Sequence, residues 1–177
     1  MLKKIVLPAL LVLGMNAYAE EDAAKGLIGV EFGYVDTNYN TEGFSGDETS
    51  EVGTGSLGLK LGAESRNYRV FIDSSFWYTD QYKKAGKIGA SLQYLIPLGD
   101  AFNIFMGLNG GVINSIGDTD VDPYYGADLG VNLNLSESFG IELGARYCDV
   151  SDSNADLAIT DMVQGYISAI FKFSSDY

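Results

Sequence analysis

The sequence predicts an all-β chain of eight antiparallel strands joined in up-and-down order. Three observations point there. Beyond the N-terminal segment, apolar and polar residues alternate with period two, and no 3.6-residue periodicity is sustained. The 177 residues include 22 Gly, 12 Tyr and 9 Phe but only 3 Pro, a composition suited to strands and turns. The alternating stretches are separated by connections that switch between short and long.

The N-terminal segment stands apart from the strands. Met1-Leu2-Lys3-Lys4 is a basic start, an apolar run follows from Ile5 to Leu13 broken only by Pro8, and Ala17-Tyr18-Ala19 puts small residues where a signal peptidase reads. Residues 1–19 are expected to be a cleavable signal peptide, and 20–177 one barrel domain. The apolar run is far short of the roughly 20 residues a spanning helix needs. No Cys near the cut offers a lipid anchor.

Strand one is expected at 26–37, followed by a long polar link over 38–53. Strand two, 54–64, closes in a tight turn at Ser65-Arg66-Asn67 and leads into strand three at 68–80. Strand four covers 86–97 and turns at Leu98-Gly99-Asp100; strand five covers 101–113, with a link to Pro123. Strand six covers 124–135 and turns at Ser136-Glu137-Ser138; strand seven covers 139–150, and strand eight covers 161–173 after a link over 151–160. Short turns at one end and longer loops at the other are the rhythm of a transmembrane barrel, with both termini on the short-turn, periplasmic side.

The two faces of each strand decide between a soluble barrel and a membrane-spanning one. Strand two sets Leu57, Leu59, Leu61 and Ala63 against Gly58, Lys60 and Gly62. Strand three sets Tyr68, Val70, Ile72, Ser74, Phe76 and Tyr78 against Arg69, Phe71, Asp73, Ser75 and Trp77. Strands four, six and seven repeat the contrast: one face is nearly free of charge, and the other mixes small residues with both signs. A Lys or Arg in lipid at mid-depth costs about 2–4 kcal/mol, so in a membrane these charges must point away from lipid; alternation alone does not exclude a soluble sandwich whose polar face meets water. Tyr34, Phe76, Tyr78, Tyr125 and Tyr147 then fall at the outer strand ends, and Tyr68, Tyr94, Phe102, Phe139, Phe171 and Phe173 at the periplasmic ends. Two aromatic girdles around an aliphatic belt fit a bilayer. The fold class expected is therefore an eight-stranded antiparallel up-and-down transmembrane β-barrel.

Together these features resemble the small outer-membrane barrel superfamily, which includes the OmpA transmembrane domain, OmpX/Ail-type proteins and opacity-type porin-family barrels. The segment from Gly165 to Phe173 is similar to the C-terminal assembly signal of such barrels, although four residues follow Phe173. The resemblance implies export to the outer membrane of a Gram-negative cell envelope and insertion by the barrel-assembly machinery. The expected surroundings are outer-membrane lipid and lipopolysaccharide, with the barrel a monomer.

Candidate functional residues are few. Glu31, Lys60, Arg69, Asp73, Lys87, Asp128, Glu142 and Arg146, with Lys172 beside them, are expected to form a lumen charge network. An eight-stranded interior is just wide enough for side chains to fill, so these charges should pair. The expected reading is a polar plug; the alternative is a narrow porin-like channel for ions or small solutes. A soluble secreted lipid-binding barrel ranks third.

The chain contains no His, which removes the usual catalytic dyads, triads and His metal sites, so no enzyme is expected. Asp118-Thr119-Asp120-Val121-Asp122 fails the calcium-loop pattern, because Pro123 and Leu129 stand where Gly and Glu are needed. No cofactor or metal site is expected. With Lys3 and Lys4 removed, nine basic residues remain against 24 acidic ones, a net −15 that argues against a nucleic-acid partner. Glu42, Asp47, Glu48 and Glu51 make the first outer loop acidic, and a structural or surface-interaction role through such loops is the function expected. The single Cys148 cannot form an internal disulfide.

Overall fold

The computed structural model describes residues 25–43, 46–79, 83–116, 121–151 and 157–174. The expected signal peptide, Asp118 and Asp120 lie outside them. The strands are β1 (Lys25–Gly43), β2 (Gly46–Ser65), β3 (Tyr68–Thr79), β4 (Lys83–Pro97), β5 (Phe102–Ile116), β6 (Asp122–Asn134), β7 (Phe139–Val150) and β8 (Leu157–Ser174). Each pairs antiparallel with its successor, and β1 also pairs with β8, which closes the barrel in sequence order. Closure leaves the wall without an edge strand. Three tight connections, at Arg66-Asn67, 98–101 and 135–138, mark one end of the barrel, the turn end. Lys25 and Ser174 meet there in register. The other connections define the loop end.

Strand number and order are those the periodicity predicts, but several strands are longer. The polar link expected over 38–53 is instead mostly ladder. β1 and β2 pair in unbroken register from Lys25↔Glu64 to Gly43↔Gly46. Likewise β8 begins at Leu157, and β1 pairs with it as far as Thr41. These extensions carry no regular apolar face, so alternation cannot reveal them. Backbone hydrogen bonding carries the ladder on past the point where side-chain burial stops.

One irregularity matters for the lumen. The β1–β8 register shifts between Asn38↔Asp161 and Tyr39↔Ile159, leaving Thr160 as an extra residue. Asn38 Nδ2 donates to Asp161 Oδ1 at 2.9 Å, and Thr160 Oγ1 donates to the Asn38 carbonyl at 3.3 Å, so side chains brace the bulge. Because a bulge resets the alternation, Ile159 and Met162 both face inward, although three residues apart in sequence.

The faces follow the alternation. Leu57, Leu59, Leu61, Ile72, Ile88, Leu92, Leu129 and Leu143 are all exposed on the outside. Their inward neighbours, Lys60, Arg69, Asp73, Lys87, Ser91, Gln93, Asp128 and Glu142, are buried. A water-soluble barrel carries the reverse pattern, with hydrocarbon inside and charge outside.

Candidate functional site

The lumen gathers the polar side chains, and its centre is a closed ring of contacts. Lys60 Nζ lies 2.7 Å from Glu31 Oε2 and 3.7 Å from Glu142 Oε2. Glu142 also pairs with Arg69. Arg69 Nε donates to Gln93 Oε1 at 2.8 Å, and Gln93 Nε2 donates to Asp128 Oδ2. Arg146 then lies 4.0 Å from Asp128 and 3.5 Å from Glu31, which returns to the start. Six strands, β1, β2, β3, β4, β6 and β7, contribute one or two members each. Every member is nearly inaccessible to solvent.

Charge balance explains why such a ring can be buried. Glu31, Asp73, Asp128 and Glu142 face Lys60, Arg69, Lys87 and Arg146, four carboxylates against four cations. Breaking one buried pair typically costs about 3–5 kcal/mol, because the survivor is stranded in low dielectric. At the turn end, Lys172 reaches Glu64 at 2.8 Å, so this outlying charge is also matched.

Of the eight residues singled out in sequence, six stand in the ring and two beside it. Lys87 Nζ reaches Gln164 Oε1 at 3.5 Å. Asp73 Oδ2 accepts no hydrogen bond among the described residues. Two participants, Gln93 and Gln164, escape a reading based on charge alone. Gln164 Nε2 donates to Glu31 at 3.0 Å and to Ser56 Oγ at 3.0 Å, and its Oε1 accepts from Arg146 at 3.3 Å. Their signal was available: both are polar residues on the lumen-facing parity of their strands.

Aromatic rings fill the space the ring of charges surrounds. Lys60 Nζ sits 4.3 Å from the Tyr166 ring centroid, and the Arg146 guanidinium 5.0 Å from the same centroid. The Arg69 guanidinium lies 5.0 Å from the Phe105 centroid and 5.4 Å from that of Phe71. Each such contact adds about 2 kcal/mol when desolvated. Glycines on neighbouring strands make room. A Cβ at Gly144 would stand 2.5 Å from Tyr166 Cζ, and one at Gly130 would stand 2.5 Å from Phe105 Cζ.

Toward the loop end the lining changes to hydrocarbon. Val35, Trp77, Ala85, Ile113, Tyr124, Cys148, Val150, Ile159 and Met162 form one buried cluster, a cap over the ring. Cys148 is buried within it and donates to Asn109 Oδ1 at 3.3 Å, which suits a filler better than an accessible thiol. The gap between cap and ring, bordered by Trp77, Lys87, Arg146 and Met162, is too narrow for a water-sized sphere. Toward the turn end the lumen widens into a vestibule of about 310 Å³ bordered by Lys25, Glu64, Asp100, Glu137 and Lys172. Among the described residues no group of His, Cys, Asp or Glu is arranged to hold a metal ion.

The outer surface completes the site. Tyr34, Phe76, Tyr78, Tyr125 and Tyr147 are exposed near the loop end. Tyr68, Tyr94, Phe102, Phe171 and Phe173 are exposed near the turn end, joined by the half-buried Phe139. Tyr68 and Tyr94 meet across strands with tilted rings at 5.1 Å between centroids, as do Phe139 and Phe171. Between the girdles the surface is aliphatic. A continuous apolar belt of this extent is not a water-facing surface; its fit is to lipid.

Comparison with known proteins gives the same fold. No family model matches the sequence, and neither does any curated protein. Solved structures do match in shape. The Neisserial surface protein NspA is 16% identical, with a TM-score of 0.56 over 84% of this chain and 97% of that one. Outer membrane protein H (OprH) of Pseudomonas aeruginosa is 19% identical, with a TM-score of 0.56 over 84% and 99%. OprG of Pseudomonas aeruginosa is 14% identical, with a TM-score of 0.57 over 86% and 97%. With a closed eight-stranded wall, a charged interior and a lipid-compatible belt, the chain has the fold of the small outer-membrane β-barrels.

Proposed function

We propose that this chain is an integral outer-membrane protein whose barrel is a closed scaffold and whose activity resides on its exposed loop end. The observation that carries the reading is the inversion of polarity: apolar side chains cover the outside while charges fill the inside. Export would rest on cleavage after Ala19, insertion on the barrel-assembly machinery, and the surroundings would be outer-membrane lipid and lipopolysaccharide. The filled lumen favours a structural barrel, which we take to act as a monomer, and no catalytic role is assigned. Membrane fractionation combined with a heat-modifiability gel tests the placement. Recovery in the soluble periplasm, with no mobility difference between heated and unheated protein, would reject it.

A narrow ion path is the second reading, supported by the ring of charges that crosses the lumen. Planar-bilayer recording on purified protein separates the two. The closed scaffold predicts no stable current, and discrete steps of current would favour the channel.

A further inference from the structure

The three tight turns at the turn end are built from different chemistry. The β4–β5 turn runs Leu98-Gly99-Asp100-Ala101, and the β6–β7 turn runs Leu135-Ser136-Glu137-Ser138. Each opens on a Leu, carries a carboxylate two residues later, and contains no Lys or Arg. The β2–β3 turn instead has Arg66 and Asn67 between Ser65 and Tyr68.

Leu98 and Leu135 face outward, 57% and 55% exposed, as open as Leu59 at 56% in the middle of the belt. The backbone holds them there. Leu98 N donates to the Phe102 carbonyl at 2.8 Å, and Leu135 N donates to the Phe139 carbonyl at 3.0 Å. Asn134 N donates to the Ala101 carbonyl at 2.7 Å, which ties the two turns together. Phe102 pairs with Leu133 across the strands between them. The apolar surface therefore runs from Leu98 over Phe102 and Leu133 to Leu135 and joins the belt above it. On β2 and β3 it stops at Tyr68.

The register sets how deep each side reaches. Following partners across the strands once around the wall leads from Lys25 back to Val35, ten residues up β1 from the start. With strands tilted about 40°, one residue advances about 2.5 Å along the barrel axis, and each strand crossed adds about 3 Å. On that scale Leu98 and Leu135 both lie about 6 Å nearer the turn end than Tyr68.

Continuity with the belt indicates lipid as the partner, since hydrocarbon on this surface extends the same lipid-compatible face. The carboxylates indicate which lipid. An anionic headgroup would meet like charge at Asp100 and Glu137, whereas an ammonium headgroup meets the opposite charge.

We propose that the β4–β5 and β6–β7 turns seat in the headgroup layer of the leaflet at the turn end. Each Leu packs against the first acyl carbons, and each carboxylate meets the ammonium of a zwitterionic phospholipid. The β2–β3 turn stands in water. This rests on the membrane reading above and adds which turns touch lipid and which headgroup they take.

Amide NMR on the full, unsubstituted barrel in nanodiscs tests it, with two broadening probes: a lipid carrying a nitroxide near its headgroup, and a water-soluble gadolinium chelate. In discs of phosphatidylethanolamine and phosphatidylcholine, the lipid probe should broaden 98–101 and 135–138 about threefold more than Arg66 and Asn67. Gadolinium should give the reverse order. Equal broadening of the three turns would overturn the proposal. Exchanging phosphatidylethanolamine for phosphatidylglycerol should cut the lipid-probe effect at the two turns about twofold, and no change would also overturn it.

Substitutions sharpen the result. Leu98→Ser with Leu135→Ser should bring both turns down to the level of Arg66. Asp100→Asn with Glu137→Gln should keep the broadening but remove its dependence on headgroup. A lipid labelled near its chain end supplies the reference at Leu59, Leu92 and Leu129. If these belt amides escape it, the membrane reading itself falls. If they broaden while the three turns respond alike, only this proposal falls.

Discussion

The ring and the cap occupy neighbouring levels of one lumen, yet they close it by different physics. The ring is directional: each cation needs a carboxylate at a defined place, as Lys60 does between Glu31 and Glu142. The cap is non-directional: Val35, Trp77, Ile113 and Met162 need only volume and contact. One member lost from the ring strands its partners, whereas one lost from the cap leaves a gap that neighbours can partly fill. Two unlike closures in series make a barrel that is hard to open by any single change.

The sharpest way to break this contrast is Glu142→Ala. Glu142 is fully buried and shared by Arg69 and Lys60, so its removal leaves two cations underpaired. The expected loss is about 3–5 kcal/mol, read as a lower midpoint in urea-driven unfolding from detergent micelles. Met162→Ala removes a side chain of similar burial from the cap, with an expected loss of about 2–3 kcal/mol. A double-mutant cycle between these two positions should show near-additivity, and coupling above about 1 kcal/mol would mean ring and cap act as one unit.

Gln93→Leu probes the ring's neutral link. It removes the acceptor for Arg69 Nε and the donor for Asp128 without removing a charge, and should cost about 1–3 kcal/mol. A loss as large as that of Glu142→Ala would show that hydrogen-bond continuity, not charge balance, holds the ring. The smallest effect belongs to a site outside both levels. Arg66 occupies the left-handed region at φ 48° in the β2–β3 turn. Arg66→Gly relieves the steric cost of that conformation but gives up the interaction the Arg66 side chain makes, so the net change should stay within about 1 kcal/mol.

Legibility in the sequence followed from what each feature depends on. Strand β7 reads directly, 139–150, because both faces alternate cleanly from the tight connection at 135–138 onward. The extensions of β1 and β2 do not read, because 38–53 has no apolar face and the ladder there is held by backbone pairing. The six charged ring members were visible as charges on one parity. Their neighbours in space were not, since Glu31 and Arg146 meet at 3.5 Å across 115 residues of chain, through the β1–β8 closure.

The sequence by itself determined the strand count, the up-and-down order and which face meets lipid, because these depend on local alternation and on the free energy of placing each side chain in water or hydrocarbon. Only the tertiary structure decided the rest. Which charges meet depends on strand register and barrel closure. The seating of both Ile159 and Met162 in the cap depends on the Thr160 bulge. Each of these is a relation between strands, and no single strand carries it.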